Sequence, residues 1–289
     1  ELARSAGNRR LEASILRHLS ISFWRPSELT LALDYLKQAL QIRREIGDRM
    51  EEGRVLLALA EVELGLHDLA VARVHIERAL QLLRLTGNRR DEGYALETLG
   101  LLQYRLGDFA ASKVSLQAAD ERLGQVRDAL GMSITGTIRA RLACAVGDYA
   151  AMFNSGQRAL KLAEQTANPG IQVIALIVLG DACTHLTRWD KAATLYVKAL
   201  DLCTEHDWPH WAVGARAGLA GVALGLGAVG DALPQVESIL TYTASLPELY
   251  RTAEPIRIYL ICFRVLEAVK DPRAGDVLRT AHHLLQTWA

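Results

Sequence analysis

A two-residue mark, Gly or a substitute followed by Asn or Asp, recurs every 40 residues along this 289-residue chain. The marks are Gly7-Asn8, Gly47-Asp48, Gly87-Asn88, Arg127-Asp128 and Ala167-Asn168. His206-Asp207 continues the series with an apparent one-residue slip, and the segment around Pro247-Glu248 continues it without the same chemistry. Glycine can close one helix in the left-handed conformation, and an Asn or Asp side chain can cap the next. A mark at a fixed interval therefore predicts a chain built from stacked helical repeats.

Each 40-residue unit contains a second turn and two sets of small residues. The second turn reads Gly107-Asp108-Phe109 or Gly147-Asp148-Tyr149 and has counterparts in the other units. Small residues occupy one position of the first helix: Ala60, Gly100, Ala140, Gly180 and Ala220. They also occupy one position of the second helix: Ala39, Ala79, Ala119, Ala159 and Ala199. Small residues at fixed positions predict two helices, A and B, that pack closely as a hairpin.

These marks resemble the tetratricopeptide repeat (TPR), in which a Leu-small pair lies on helix A and alanines lie on helix B. HEAT and armadillo repeats have a similar length but do not explain the Leu-small and Gly-Asp-aromatic marks. The resemblance implies an all-α solenoid, a right-handed superhelix of about seven hairpins with helix A on its concave wall. The predicted repeats are 7–46, 47–86, 87–126, 127–166, 167–206, 207–246 and 247–289. Residues 1–6 match the tails of B helices, so we expect a single solenoid cut from a longer array.

Composition argues against several classes of partner. The chain has 33 basic and 33 acidic side chains and no net charge, so it offers no electrostatic footprint for nucleic acid or an anionic membrane. Charged residues interrupt every apolar run, which argues against a membrane-spanning segment. The cysteines Cys144, Cys183, Cys203 and Cys262 form no CxxC pair. We therefore expect a cytoplasmic protein without nucleic acid or membrane partners.

The sequence predicts no catalytic, cofactor or metal site. The GxGxxG match from Gly225 to Gly230 follows a helix rather than a strand, so it lacks the context of a nucleotide site. Cys203, His206 and His210 lie close in sequence, but a closed zinc site normally has four ligands. We interpret this segment as a turn in which Asp207 caps the next helix. The prediction is a protein that is not an enzyme.

The TPR resemblance also implies which side chains face the concave groove. Helix A residues before and after the Leu-small pair supply isolated charges and aromatic rings, which suit an extended peptide or protein segment. Glu61, Glu97, Arg141 and Asp181 form the main polar row. The candidate ligand-binding residues are Arg17, Trp24, Arg54, Glu61, Tyr94, Glu97, Tyr104, Arg141, Asp181, His185, Gly218 and Gly221. We expect about half of them to serve packing instead.

A stripe of glycines distinguishes the sixth repeat. Gly214, Gly218, Gly221 and Gly225 follow one side of helix A, where each costs roughly 1 kcal/mol relative to Ala. Two interpretations are open. Either a ligand or a second copy approaches a smooth floor, or the helices of the repeat itself pack tightly.

The sequence thus favours a non-catalytic binding module. Arrays with 40-residue units resemble the C-terminal sensor of bacterial signal-transduction ATPases with numerous domains (STAND), which implies a ligand on helix A that releases autoinhibition. The expected ligand is a protein or peptide segment, or else a small-molecule inducer. The alternative is a constitutive scaffold that binds proteins through its outer surface. Self-association through exposed terminal repeats is a third alternative.

Overall fold

The computed structural model describes residues 7–22, 28–245 and 254–288, and within these ranges every regular element is an α-helix. The fourteen helices are α1 (Arg9–Ser22), α2 (Leu29–Glu45), α3 (Arg49–Gly65), α4 (Leu69–Leu85), α5 (Arg89–Arg105), α6 (Phe109–Gln125), α7 (Ala129–Ala145), α8 (Tyr149–Ala163), α9 (Pro169–His185), α10 (Trp189–Glu205), α11 (Pro209–Gly225), α12 (Val229–Ser245), α13 (Pro255–Ala268) and α14 (Ala274–Trp288). Odd-numbered helices are the A helices of the repeats and even-numbered helices are the B helices. The predicted all-α solenoid of about seven hairpins is confirmed.

The repeated marks end and begin helices as predicted. Glycines at the turns, including Gly47, Gly87 and Gly107, have φ angles of 65° to 78°, in the left-handed region that favours glycine. The next acidic or amide side chain caps the following helix: Asp48 accepts from the Glu51 amide, and Asn88 accepts from the Asp91 amide. This chemistry fixes both ends of most helices, which explains why so many helices have the same length.

The structure corrects the predicted positions of the repeats at two places, the starts of α11 and α13. Asp207 does not cap α11, because it is itself left-handed with a φ of 53°. Trp208 occupies the N-cap position and makes no side-chain capping bond. The apparent slip is therefore absent, since Asp207 takes the place of the glycine. The last repeat does deviate, because α13 begins at Pro255, later than the 40-residue period requires.

The small residues lie where two helices meet. All five helix B alanines of the predicted set, such as Ala79 and Ala119, are fully buried. On helix A, a β-carbon added to Gly100 would lie 2.7 Å from the side chain of Leu116 on α6. Removing the side chain at this position thus lets a large residue of helix B pack against the helix A backbone.

The chain divides into two compact units, and the division falls inside α7: unit 1 ends at Thr135 and unit 2 begins at Gly136. Leu36, Leu56 and Leu83 are among the fully buried side chains of unit 1. Tyr196 and Ile239 are among those of unit 2. Among the described helices, none is both long and apolar enough to cross a membrane.

Candidate functional site

In unit 1, one side of α5 combines aromatic residues with a carboxylate. Tyr94, Glu97, Leu101 and Tyr104 follow a spacing of three or four residues, which places them on one side of a helix. Tyr94, Leu101 and Tyr104 are half-buried, whereas Glu97 is only 7% exposed. Glu61 lies on the preceding A helix, α3, with its side chain exposed.

Glu61 and Glu97, here called the acidic pair, have no partner in the part of the chain that the structure describes. Neither carboxylate accepts a hydrogen bond or forms an ion pair with any residue that the structure describes. Burial is the main cause that raises the pKa of Glu97 well above its usual range, and the negative charge of Glu61 adds to the rise. Surrounding protein raises the pKa of Glu61 to about 7, although its side chain still contacts water. Glu61 is exposed to solvent, whereas Glu97 is only 7% exposed, so Glu97 is the better evidence for an unsatisfied carboxylate.

Every other buried acid in the described parts of the chain has a nitrogen partner. The pairs are Glu12 with Arg9, Glu52 with Arg44, Glu63 with His75, Glu92 with Arg84 and Arg122, Asp128 with Arg90, and Asp181 with Arg257. These N···O distances lie between 2.5 and 3.0 Å. An ionised carboxylate buried without such a partner is costly, so Glu97 stands apart from the rest.

Two other predicted site residues in unit 1, Arg54 and Tyr94, bond to a neighbouring repeat, whereas Arg17 makes only a loose contact and its buried Nε forms no hydrogen bond with the described residues. Arg54 Nε lies 2.5 Å from Asp91 Oδ2, at the start of the next A helix. Tyr94 is the counterpart of Arg54 one repeat further on, and its hydroxyl donates to Asp128 Oδ2 over 3.1 Å. Arg17 Nε lies 3.8 Å from Glu51. Arg54 and Tyr94 therefore have structural partners, and the expectation that about half of the predicted set serves packing stays a prediction.

The remaining predicted residues lie in different surroundings. Tyr104 is half-buried, with its ring centroid 6.1 Å from that of Phe109. The His185 ring stacks on Tyr149 at 4.4 Å. Arg141 is half-buried and lies 3.9 Å from a carboxylate oxygen of Glu254, which is a loose contact. Trp24 lies outside the described residues.

In unit 2, Asp181 has two partners from the chain itself. Arg257 Nη1 lies 2.9 Å from Asp181 Oδ1, and the Tyr196 hydroxyl donates to the same oxygen over 2.6 Å. Glu254 pairs in turn with Arg257 at 3.0 Å. We call these four residues the Asp181 cluster. Burial raises the pKa of Asp181, and the positive charge of Arg257 opposes that rise.

The sequence pattern missed Arg257 and Glu254. Both lie where α13 begins, in the repeat that deviates from the 40-residue period, so no counterpart in other repeats marks them. Only the folded chain brings them to Asp181, which is far away in sequence. A charge pair between a regular repeat and the irregular last repeat leaves no 40-residue pattern in the sequence.

Glycines on two A helices make room for Tyr196. A β-carbon on Gly180 would lie 2.7 Å from the Tyr196 ring, and one on Gly218 would lie 2.3 Å from it. Gly218 is buried, and the ring occupies the space beside it. Gly218 therefore shows tight internal packing, which was one of the two interpretations of the glycine stripe, and its role in ligand binding stays a prediction. At Gly221 a β-carbon would meet only Ile261, at 3.7 Å, so that position has room.

Among the described residues, Cys203, His206 and His210 do not converge as metal ligands, and Cys144 Sγ lies 3.5 Å from His185 Nε2. Burial raises the pKa of the Cys203 thiol to about 11, which disfavours a reactive thiolate. His206 stacks on Trp208, and His210 meets Trp211 edge-on. Within the described ranges, no three His, Cys, Asp or Glu side chains converge on a common point as metal ligands would.

The hairpins, capped turns and buried small positions define a TPR-type array, and solved structures with the same fold support this class. A Rap protein complexed with Competence and Sporulation Factor matches 96% of this chain over 76% of its own, at 15% identity and a TM-score of 0.78. The Rap conjugation gene regulator of plasmid pLS20, complexed with the Phr* peptide, matches 100% of this chain over 77% of its own, at 9% identity and a TM-score of 0.80. At these identities the likeness shows the fold.

A third similar structure is a STAND protein with a TPR sensor from Pyrococcus horikoshii. It matches 94% of this chain at 15% identity and a TM-score of 0.62, and the match covers 42% of that protein. No protein family model matches the sequence. No curated protein matches it either.

Proposed function

We propose that this chain is a non-catalytic module that binds a peptide or an extended protein segment along the A helices of unit 1. The observation that carries the proposal is Glu97, a buried carboxylate with no partner among the described residues, on a helix side that also presents Tyr94 and Tyr104. Aromatic side chains provide contact area, and an unsatisfied charge provides a fixed polar anchor. Two proteins with the same fold are known in complexes, one with Competence and Sporulation Factor and one with the Phr* peptide.

The proposed context is the sensor of a larger, cytoplasmic bacterial signalling protein. The similar STAND protein carries a TPR sensor as part of a longer chain, which supports this assignment. A peptide or a small-molecule inducer would act by binding one conformation of the array better than another, since only differential affinity shifts a conformational equilibrium. Catalysis is not proposed, because burial raises the pKa of the Cys203 and Cys262 thiols and so disfavours reactive thiolates.

The alternative is a constitutive scaffold that binds through the B helices. Val74 on α4 and Val114 on α6 favour it, because they occupy equivalent positions and are 62% and 69% exposed. Exposed apolar side chains on neighbouring helices form a small patch that a protein partner can cover.

Peptide selection followed by hydrogen exchange separates the two functions. Peptides selected from a random 12-residue display library on the whole chain should slow amide exchange in α3 and α5. Tyr104→Ala should weaken their binding about tenfold, as expected for loss of an aromatic contact. The matched outer-surface variant Val74→Ser/Val114→Ser should leave it unchanged. The scaffold would be supported instead if amide exchange slowed only in α4 and α6. In that case Val74→Ser/Val114→Ser should weaken binding and Tyr104→Ala should leave it unchanged.

A further inference from the structure

The acidic pair specifies the charge of the group that binds there. Glu97 is 7% exposed and Glu61 lies on the neighbouring A helix, close enough for its charge to raise the pKa of Glu97. Ionising both carboxyl groups at once is unfavourable, because each negative charge opposes the other and Glu97 is buried. A cation placed between them would relieve both the repulsion and the burial of an unpaired charge.

The rest of unit 1 shows how this fold ordinarily treats a buried acid. Glu92, on the same helix as Glu97, pairs with Arg84 at 3.0 Å and with Arg122 at 2.9 Å. Those arginines come from B helices on either side, so the array can supply guanidinium groups to buried carboxylates. It supplies none to Glu97 among the described residues, which leaves that place for a group from outside the chain.

We propose that the acidic pair is the binding subsite for an arginine or lysine side chain of the peptide ligand. This inference rests on the proposed function and adds the chemical class of the ligand. Leu101 lies one helical turn beyond Glu97, and Tyr104 lies one turn further, so the aliphatic stem of such a side chain has apolar surface beside its charged end. A single metal ion is a poorer fit, because the site offers two carboxylates and no further clustered ligand among the described residues.

The experiment compares the peptides selected by the whole chain with those selected by Glu61→Gln/Glu97→Gln. Wild-type protein should enrich peptides that contain Arg or Lys at one position, and the double variant should not. For one selected peptide, the double variant should lower affinity at least 30-fold, the size expected when one partner of a desolvated charge pair is removed. The control Glu77→Gln/Glu121→Gln removes the same charge from exposed positions on α4 and α6 and should change affinity less than threefold.

A second peptide completes the test. Citrulline in place of the selected arginine, or norleucine in place of a lysine, should weaken binding to the wild type but not to Glu61→Gln/Glu97→Gln. Peptides that bind without a basic preference, or that bind the double variant equally well, would overturn the subsite and leave the proposed function standing. If the wild-type chain retains no peptide from the library, both the subsite and the proposed function fall.

Discussion

Glu97 in unit 1 and Asp181 in unit 2 are similarly buried acids on A helices, and the two units provide for them differently. In unit 2, Asp181 is 8% exposed and receives both Arg257 and the Tyr196 hydroxyl. In unit 1, Glu97 is 7% exposed and receives neither a cation nor a hydrogen bond from the described residues. Asp181 is part of the architecture, because its partners come from the chain itself. Glu97 lowers the stability of the fold because it is buried without such a partner among the described residues, and a residue retained at such a cost is typical of a binding site.

The largest expected effect comes from removing the partner of Asp181. Arg257→Ala should destabilise the protein by about 2–3 kcal/mol, below the 3–5 kcal/mol of a fully buried pair because Arg257 is partly exposed and the Tyr196 hydroxyl remains. Thermal unfolding should show a melting temperature lower by roughly 4–12 °C. Adding Asp181→Asn to the same variant should recover much of the loss. No recovery would mean that Asp181 is not the group left unpaired, and the contrast between the units would fail.

A smaller effect is expected at the glycine stripe. Gly218→Ala should cost about 1–3 kcal/mol, because the new β-carbon meets a Tyr196 ring that is fully buried and bonded to Asp181. Gly221→Ala is the matched control, and it should gain up to about 1 kcal/mol from helix propensity. Equal tolerance at both positions in urea unfolding would contradict the packing role of Gly218.

The sequence predicts this fold well because one physical rule is repeated. Each turn needs a residue that tolerates the left-handed conformation and a side chain that caps the next helix, and both leave a visible mark. Gly47, Asp48, Gly87 and Asn88 illustrate this. The role of Asp207 is ambiguous in the sequence because an aspartate can fill either place, and only its φ of 53° distinguishes them.

The candidate site was less predictable, for a reason visible in single residues. Helix periodicity places Arg54, Tyr94 and Glu97 on related sides of A helices, but it does not say which of them finds a partner. Arg54 and Tyr94 meet acids of the next repeat, and Glu97 meets none among the described residues. The partner depends on the three-dimensional arrangement of neighbouring repeats. The same limit hid Arg257, whose contact with Asp181 joins α13 to α9.

The smallest expected effect tests the unpaired acid itself. Because the folded-state pKa of Glu97 is raised, its contribution to stability is fully present below the unfolded pKa and is lost as pH rises toward the folded pKa. Glu97→Gln removes this loss, so it should raise the melting temperature by about 2–4 °C at pH 8, equivalent to roughly 1 kcal/mol. Near pH 4.5 the variant and the wild type should unfold together.

Glu92→Gln provides the matched control for that measurement, because Glu92 is equally buried on the same helix but pairs with Arg84 and Arg122. It should lower the melting temperature at pH 8, since the arginines then face a neutral group. Opposite signs from two glutamates of one helix would show that partnering, and not burial, sets their contributions. If Glu97→Gln also destabilised the protein at pH 8, Glu97 would be a structural residue like Glu92, and unit 1 would lose its distinction from unit 2.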